Sequence, residues 1–398
     1  MEFRFNEKEE KLRAEIREFV KVELPPNFIG KAFEDEITDE DWAFSMSISK
    51  KLAEKGWLTM SWPKEYGGMD ASHWERVVFN EEAAYWGIPG LGMGISGTAW
   101  VGPSLMLFGT EEQKKKYIPV IASGEPDGVW CTGYSEPDAG SDMAAMQTLA
   151  IRDGDDYIIN GQKVWTSCAH HARWLWLACR TDPEAKKKHQ GLSLIIVDMQ
   201  SEGLTVRPLE NYVGGHVFNE LFFKDVRVPA ANLVGVEGKG WSQLMTALSF
   251  ERGTAITTTA AAQRILDELV MYTKGTGQIK QPAIRQKLAS LAIDIEAARA
   301  MAHEVVWMEA EGMPVLHEPS RDKAFGDMLG EKLGRIGSDI IGVYSQMDPA
   351  AYKNRWSRLR GAVEHLYHYN IGFAIAAGTT DTQRNIIGQF GLQLPRAY

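Results

Sequence analysis

Cysteine is scarce in this chain. Cys131, Cys168 and Cys179 are the only three among 398 residues, and none forms a CxxC pair. That excludes a disulfide framework and favours a reducing, cytoplasmic setting. Long apolar runs are also missing: no stretch of 18 residues would span a bilayer, and the charged start MEFRFNEKEEKLRAEI has no apolar signal region. Positive charge is in deficit, with 43 Lys and Arg against 53 Asp and Glu, a net −10. A general nucleic-acid binder carries the opposite balance, so an anionic ligand would need a local basic patch or backbone N–H groups. With 44% hydrophobic and 24% charged residues, the chain is neither disordered nor collagen-like. It shows no internal repeat. Thirteen tryptophans supply large flat surfaces for a core or a ligand.

The length exceeds one ordinary core and implies two or three domains. Up to about residue 127 the pattern is helical. Leu12, Ile16, Phe19 and Val20 repeat at helical spacing, as do Phe44, Ile48 and Leu52. Ser72 with Glu75, and Thr110 with Gln113, have capping-box spacing. Near Val129 the pattern turns to short strands. Asp153-Gly154 and Asn160-Gly161 signal hairpins, and Trp174–Cys179, Leu192–Val197, Leu204–Val206 and Leu221–Phe223 are strand-like. From about Gly240 helical spacing returns, with Trp241, Leu244, Met245, Leu248, Ala255 and Ile256 on one stripe. Long amphipathic segments follow at Arg285–Met308 and Arg321–Tyr344. The expected fold is α+β and multi-domain: an N-terminal helical domain (1–127), a middle antiparallel β-sandwich or barrel (128–236) and a C-terminal four-helix bundle (237–398).

Several motifs carry little chemistry. Gly92-Met-Gly-Ile-Ser-Gly97 fits GxGxxG, but it follows no strand and reads as a helix-connecting turn. His170-His171 lacks a third ligand at a recognisable spacing, so no metal is expected. Lys186-Lys-Lys-His189 reads as a solvated loop tip. Ser135 and Ser141 lack a nucleophile elbow. The informative segment is Trp130-Cys-Thr-Gly-Tyr-Ser-Glu-Pro-Asp-Ala-Gly-Ser-Asp142, a turn rich in hydroxyls and backbone donors. Lys163-Val-Trp-Thr-Ser167 follows, placing a flat indole two residues from a hydroxyl. Turn chemistry and a core strand explain these two segments equally well when each is taken alone.

Together, in this order and spacing, the two segments resemble the acyl-CoA dehydrogenases. Phe108–Lys114, Glu237-Gly-Lys-Gly-Trp241 and Ala377-Gly-Thr-Thr-Asp-Thr-Gln-Arg384 extend the resemblance over essentially the whole chain. It implies the three-domain fold read above, FAD held between domains, and an acyl-CoA thioester against the flavin. By resemblance, Thr132 to Ser141 is the flavin-binding loop. Tyr134 and Ser135 then face the isoalloxazine edge, and Ser141 lies near the pyrophosphate or pantetheine. Trp165 and Ser167 flank the ring, Thr379 and Asp381 contact FAD from the end motif, and Trp241 and Arg252 join Ser141 toward the substrate.

Family chemistry is α,β-dehydrogenation to a trans-2-enoyl-CoA: a carboxylate takes the α-proton and the β-hydrogen leaves as hydride to flavin N5. Many members carry the base just before the Gly-Thr of the end motif, where this chain has Ala377. Others use a Glu before an Arg on the first long C-terminal helix, here Glu251-Arg252. Helical spacing sets Glu251 three after Leu248 and four before Ala255, on or beside the buried stripe. Desolvation there would raise its pKa and suit a general base; a buried ion pair is the plainer alternative. Neighbouring helix positions point about 100° apart, so Arg252 is poorly placed to be that partner.

Two family segments are missing. Lys274-Gly-Thr-Gly-Gln-Ile-Lys280 stands where an Arg-x-x-Phe-Gly turn reaches the FAD of a neighbouring subunit, and 343–369 lacks a Gln-x-x-Gly-Gly-x-Gly segment. This resembles a bacterial branch acting on steroid, alicyclic or dicarboxylic acyl-CoAs. The resemblance therefore implies a homotetramer, or an α2β2 heterotetramer with a related subunit, that passes electrons to an electron-transfer flavoprotein. The alternatives are a flavin oxidase or monooxygenase on the same scaffold, and a partner subunit present for assembly.

Overall fold

A computed structural model of the chain describes residues 4–25, 38–91, 96–213, 215–249, 254–347 and 356–395. Along the chain run α1 (Glu7–Glu23), α2 (Asp39–Glu54), α3 (His73–Trp86), α4 (Gly102–Phe108) and α5 (Glu111–Ala122). Eight strands follow: β1 (Trp130–Gly133), β2 (Leu149–Asp153), β3 (Asp156–Ser167), β4 (Trp174–Arg180), β5 (Leu192–Asp198), β6 (Leu204–Leu209), β7 (Phe218–Pro229) and β8 (Leu233–Val234). The chain then returns to helices, with α6 (Gly240–Ser249), α7 (Thr254–Thr276), α8 (Pro282–Ala310), α9 (Glu318–Ile341), α10 (Ala362–Phe373) and α11 (Thr380–Ile386). The helix–strand–helix order matches the periodicity. Residues 92–95 of the GxGxxG stretch lie outside the described residues.

Helix starts follow the capping chemistry. Ser72 and Thr110 each accept the backbone N–H three residues on, and Glu75 and Gln113 reach back to close the box. Asn6 with Glu9 and Thr38 with Asp41 do the same for α1 and α2. Each box satisfies otherwise orphaned donors and stabilises its helix by about 1 kcal/mol.

The described residues form two compact units. One combines Met1–Ile29, Ser72–Ile88 and Arg252–Tyr398; the other combines Gly30–Ala71 and Pro89–Glu251. The N-terminal helices are thus shared out: α1 and α3 belong with α7–α11, and α2, α4 and α5 with the sheet. In the helical unit, Leu266, Leu269, Leu291, Ile295, Leu333 and Val363 share one core. Arg17 grips the buried Glu82 through two hydrogen bonds (2.9 and 2.8 Å), tying α1 to α3. Gly334 of α9 is needed for close packing, since a Cβ there would stand 2.8 Å from the Tyr367 backbone of α10.

In the other unit the strands form one sheet in the order β6-β7-β3-β2-β4-β5-β8, with β1 pairing β4. Most pairings are antiparallel, but β1 and the end of β2 join β4 in parallel. Alternate residues of β4 and β5 face opposite ways. Trp176, Ala178, Leu194 and Ile196 pack with Leu105, Tyr117 and Ile121 of α4 and α5. Leu175, Leu177, Ile195 and Val197 share the second cluster with Tyr157, Ile159, Leu221 and Val226.

Of the two expected turns, Asp153-Gly154 links β2 to β3. Asn160-Gly161 is a correction: it lies inside β3, where the register with β7 slips between Ile159 and Gly161. Gly161 has φ +149°, and a Cβ there would lie 2.6 Å from Thr148 Oγ1. The Asn160 amide is spent on Asp225, donating to its carboxylate and accepting from its backbone N–H. The dipeptide therefore makes a bulge, because a tertiary neighbour rather than a turn demands the glycine. Gly161→Ala is expected to lower the unfolding free energy by about 1–3 kcal/mol, read by urea denaturation.

Candidate active site

The hydroxyl-rich segment leaves β1 at Gly133 and is fastened from below by β3. Lys163 is fully buried. Its Nζ donates to Glu136 Oε1 (2.8 Å) and to the Tyr134 carbonyl (3.0 Å). Glu136 also accepts the backbone N–H groups of Gln147 (2.6 Å) and Thr148 (2.9 Å). The Val164 N–H donates to the Ser135 carbonyl at 2.9 Å. One buried ion pair thus closes the loop from Tyr134 to Thr148 onto the sheet. Burial alone would raise the Glu136 pKa, but the Lys163 charge and these donors hold it below the usual carboxylate value. Burial pushes the Lys163 ammonium down despite Glu136. Neither residue stood out in the sequence, where Glu136 passes for a turn residue and Lys163 for the polar face of a strand.

Two residues beyond Lys163, the strand changes face. Residues two apart normally point the same way. Yet Lys163 is buried, whereas Trp165 is 57% exposed. A second bulge explains this: Lys163 pairs with Leu221 and Thr166 with Asn219, leaving one extra residue on β3. Trp165 takes it up with φ +61°, a left-handed backbone costly for a bulky side chain. Phe218 braces the indole edge-to-face at 5.7 Å, and Asn219 Nδ2 holds the Thr166 carbonyl at 3.1 Å.

Around this indole and loop lie the other expected residues. Thr132 pairs with Trp176 on β4 and is half-buried, as are Tyr134 and Ser135; Ser141 is exposed, and Ser167 ends β3 opposite Phe218. Among the described residues, the hydroxyls of Thr132, Ser135, Ser141 and Ser167 have no hydrogen-bond partner. A strained aromatic face with hydroxyls to spare is suited to a planar, polar-edged ligand. Trp241, half-buried on α6, packs against the core of the same unit.

The end motif belongs to the helical unit. Thr379 caps α11, its Oγ1 accepting from the Thr382 N–H at 3.0 Å. Asp381 is exposed and paired with Arg384 at 3.1 Å. Both line a cleft of about 420 Å³ with Asp327, Met328 and Ile375. Asp327, unnoticed in the sequence, is buried and accepts from Lys323 Nζ (2.6 Å) and Thr380 Oγ1 (2.5 Å), which anchors the motif to α9. Ala377 has φ +52°. Glu251 and Arg252 lie outside the described residues.

The histidine pair sits in the turn before β4. His171 stacks on Trp42 at 3.9 Å and His170 on His216 at 4.2 Å. Among the described residues, no group of three His, Cys, Asp or Glu side chains could hold a metal ion. Nor is any helix there long and apolar enough to cross a membrane.

Comparison with known proteins agrees with this architecture. Three family models match in order: the acyl-CoA dehydrogenase N-terminal domain over residues 6–125, the middle domain over 131–226 and the C-terminal domain over 238–392. The chain belongs to the acyl-CoA dehydrogenase family. Acyl-CoA dehydrogenase FadE26 of Mycobacterium tuberculosis is 36% identical over 360 residues, covering 87% of each chain. The solved structure of the Tcur3481–Tcur3483 steroid ACAD superposes with a TM-score of 0.90 at 34% identity, covering 100% of both chains. The ChsE4–ChsE5 complex from Mycobacterium tuberculosis superposes at 0.88, with 31% identity and 100% of both chains.

Removing one member of the Lys163–Glu136 pair strands a buried charge. Lys163→Met is expected to cost about 3–5 kcal/mol, and Lys163→Met with Glu136→Leu to recover much of it. The pH dependence has a definite sign. Glu136 titrates lower folded than unfolded, so its contribution is present above its ordinary 4.5 and lost as pH falls through the folded value. Urea unfolding below pH 4.5 should therefore show a steeper loss for wild type than for Glu136→Gln.

Proposed function

We propose that the protein is an FAD-dependent acyl-CoA dehydrogenase that forms a trans-2-enoyl-CoA, with Glu251 as the base for the α-proton. The observation that carries the reading is the Trp165 bulge, together with the uncommitted hydroxyls of Thr132, Ser135 and Ser141 on β1 and its loop and of Ser167 on β3. Left-handed backbone at a tryptophan costs about 1–3 kcal/mol, a cost sustained where the surroundings over-determine it, as at ligand sites. The indole offers a wall for the isoalloxazine, and the Ser135, Ser167 and Thr132 hydroxyls offer donors to its polar edge. Tyr134 closes the same end, and Ser141 lies further along the loop toward a pyrophosphate or pantetheine. Thr379 and Asp381 would meet the cofactor from the end motif.

Bound there, FAD supplies a two-electron acceptor for the β-hydrogen leaving as hydride. The protein must acidify and remove the α-proton. A carboxylate at residue 251 serves that step, because Ala377 leaves the alternative base position with a methyl group. Trp241 and Arg252 would then position the thioester. The acyl group is unassigned by residue chemistry. Steroid-side-chain and alicyclic esters deserve a place in any screen, since one solved relative is named as a steroid ACAD. Electron-transfer flavoprotein is the expected acceptor.

A second reading concerns assembly. Two of the solved relatives are named as pairs of chains, and Lys274–Lys280 replaces the turn that reaches a neighbour's FAD. Both observations support a heterotetramer with a related chain, with a homotetramer as the simpler form. Expression alone and then with a paralogous chain, followed by a flavin absorbance scan, separates the two.

Purified protein should be yellow and should bleach anaerobically with its acyl-CoA. Glu251→Gln is expected to slow bleaching by about 10²–10⁴ while keeping the flavin; wild-type bleaching rates would reject the base. Trp165→Gly relieves the strained backbone. It should change the unfolding free energy of the flavin-free protein by less than about 1 kcal/mol yet lose flavin on gel filtration.

A further inference from the structure

We propose that Asn219 and His170 are positioning residues for the flavin: an uncharged His170 keeps the Asn219 amide turned so that it grips the Trp165 bulge, and acid releases that grip. The proposal rests on the reading above in which Trp165 walls the isoalloxazine.

The grip is built where β3 ends. Trp165 and Cys168 both take left-handed backbone, at φ +61° and +55°. The turn beyond them carries His170 and His171 and is closed by the His171 N–H on the Cys168 carbonyl at 3.0 Å. His216 enters from the segment before β7 and stacks on His170 at 4.2 Å. Asn219, fully buried, connects these rings to the strand. Its Nδ2 meets the Thr166 carbonyl at 3.1 Å, the Val217 carbonyl at 3.3 Å and His170 Nδ1 at 3.1 Å, and its Oδ1 meets His216 Nε2 at 3.0 Å.

These contacts fix each proton. The two carbonyls can only accept, so the atom facing them is the amide nitrogen. An amide nitrogen donates and does not accept, so His170 Nδ1 must present its lone pair. His170 is therefore neutral, with its proton on Nε2, whereas His216 Nε2 can donate in either charge state. A proton added to His170 Nδ1 would set two donors against each other. Turning the amide over would satisfy that proton, but it would aim Oδ1 at the Thr166 and Val217 carbonyls. A charged His170 and a held Thr166 carbonyl thus exclude one another. That carbonyl belongs to the residue next to Trp165, so acid removes the hold on one side of the strained indole.

The surroundings favour the neutral ring. His170 reaches solvent, which gives protons access to it. Partial burial, and after it the His171 and His216 rings, nevertheless hold its pKa down at about 4. His171 stacks on Trp42 of α2 at 3.9 Å and is lowered by burial, with Asp39 of the same helix acting the other way. Among the described residues none of the three rings has an ion-pair partner. Because His170 titrates lower when folded, its contribution is complete above its ordinary 6.5 and is lost as pH falls toward about 4. Above the lower value, each unit of acidification multiplies the protonated fraction about tenfold.

The test follows flavin release on dilution of the FAD-loaded protein, read by flavin fluorescence, at about pH 6 and about pH 5. The release rate of wild type should rise about tenfold between them. His170→Asn sets an amide oxygen where Nδ1 stands but takes up no proton, so its rate should rise less than about twofold. His171→Asn, which removes a neighbouring imidazole and leaves the bond to Asn219, should keep the wild-type rise. A flat wild-type rate, or an equal rise in His170→Asn, overturns the proposal. A His171→Asn variant that flattens the rise as fully as His170→Asn also overturns it, assigning the effect to clustered charge. NMR of the histidine-labelled, flavin-free protein gives a reading independent of the cofactor: His170 should be neutral with its proton on Nε2 at about pH 6, and an imidazolium or an Nδ1–H ring there overturns the proposal too. A Trp165→Gly variant that holds flavin as tightly as wild type overturns the underlying reading of the wall, whatever His170 does.

Discussion

The Lys163–Glu136 ion pair is the constraint on which the candidate site depends. A fully buried ammonium and a buried carboxylate meet at 2.8 Å beneath the loop that follows β1. Such a pair adds little net stability compared with apolar packing, since desolvation offsets most of the attraction. What it adds is geometry. Glu136 holds the far end of the loop through the N–H groups of Gln147 and Thr148, and Lys163 holds its start through the Tyr134 carbonyl. An apolar pair would fill the space without fixing those three backbone positions.

The strain at Trp165 is tolerated for the same reason. Lys163 anchors one side of the bulge and Asn219 the other, so the extra residue has to be absorbed between them. The indole is turned outward at a backbone angle that free peptide would avoid. The hydroxyls of Thr132, Ser135 and Ser141 along the loop side and of Ser167 on β3 are left unspent by the fold, whereas hydroxyls elsewhere in the same unit, such as those of Thr110, Thr148 and Ser193, are used in capping or cross-strand bonds. Rigidity beneath the site and unspent donors above it are complementary features of one design.

Much of the architecture was legible because it rests on local rules. The capping boxes at Ser72 and Thr110 need only spacing, and the change from helical to strand-like patterning near Val129 needs only periodicity. The family resemblance rested on the segments 132–141 and 163–167, whose order and spacing can be read without knowledge of the fold. Local rules failed at Asn160-Gly161, which has turn composition but serves as a bulge against Thr148. They were silent about Glu136, Lys163 and Asp327, which have partners 27 and 53 residues away.

From its residues alone the chain determined where helices start, where strands begin and which family its motifs resemble, since each of those signals is written within a few turns or a short strand. Only the tertiary structure decided which lysine is buried, which tryptophan is turned to the surface and which N-terminal helices join which unit. Those outcomes follow from contacts between distant segments. A buried charge is tolerable only opposite its partner, and a strained residue only between fixed neighbours.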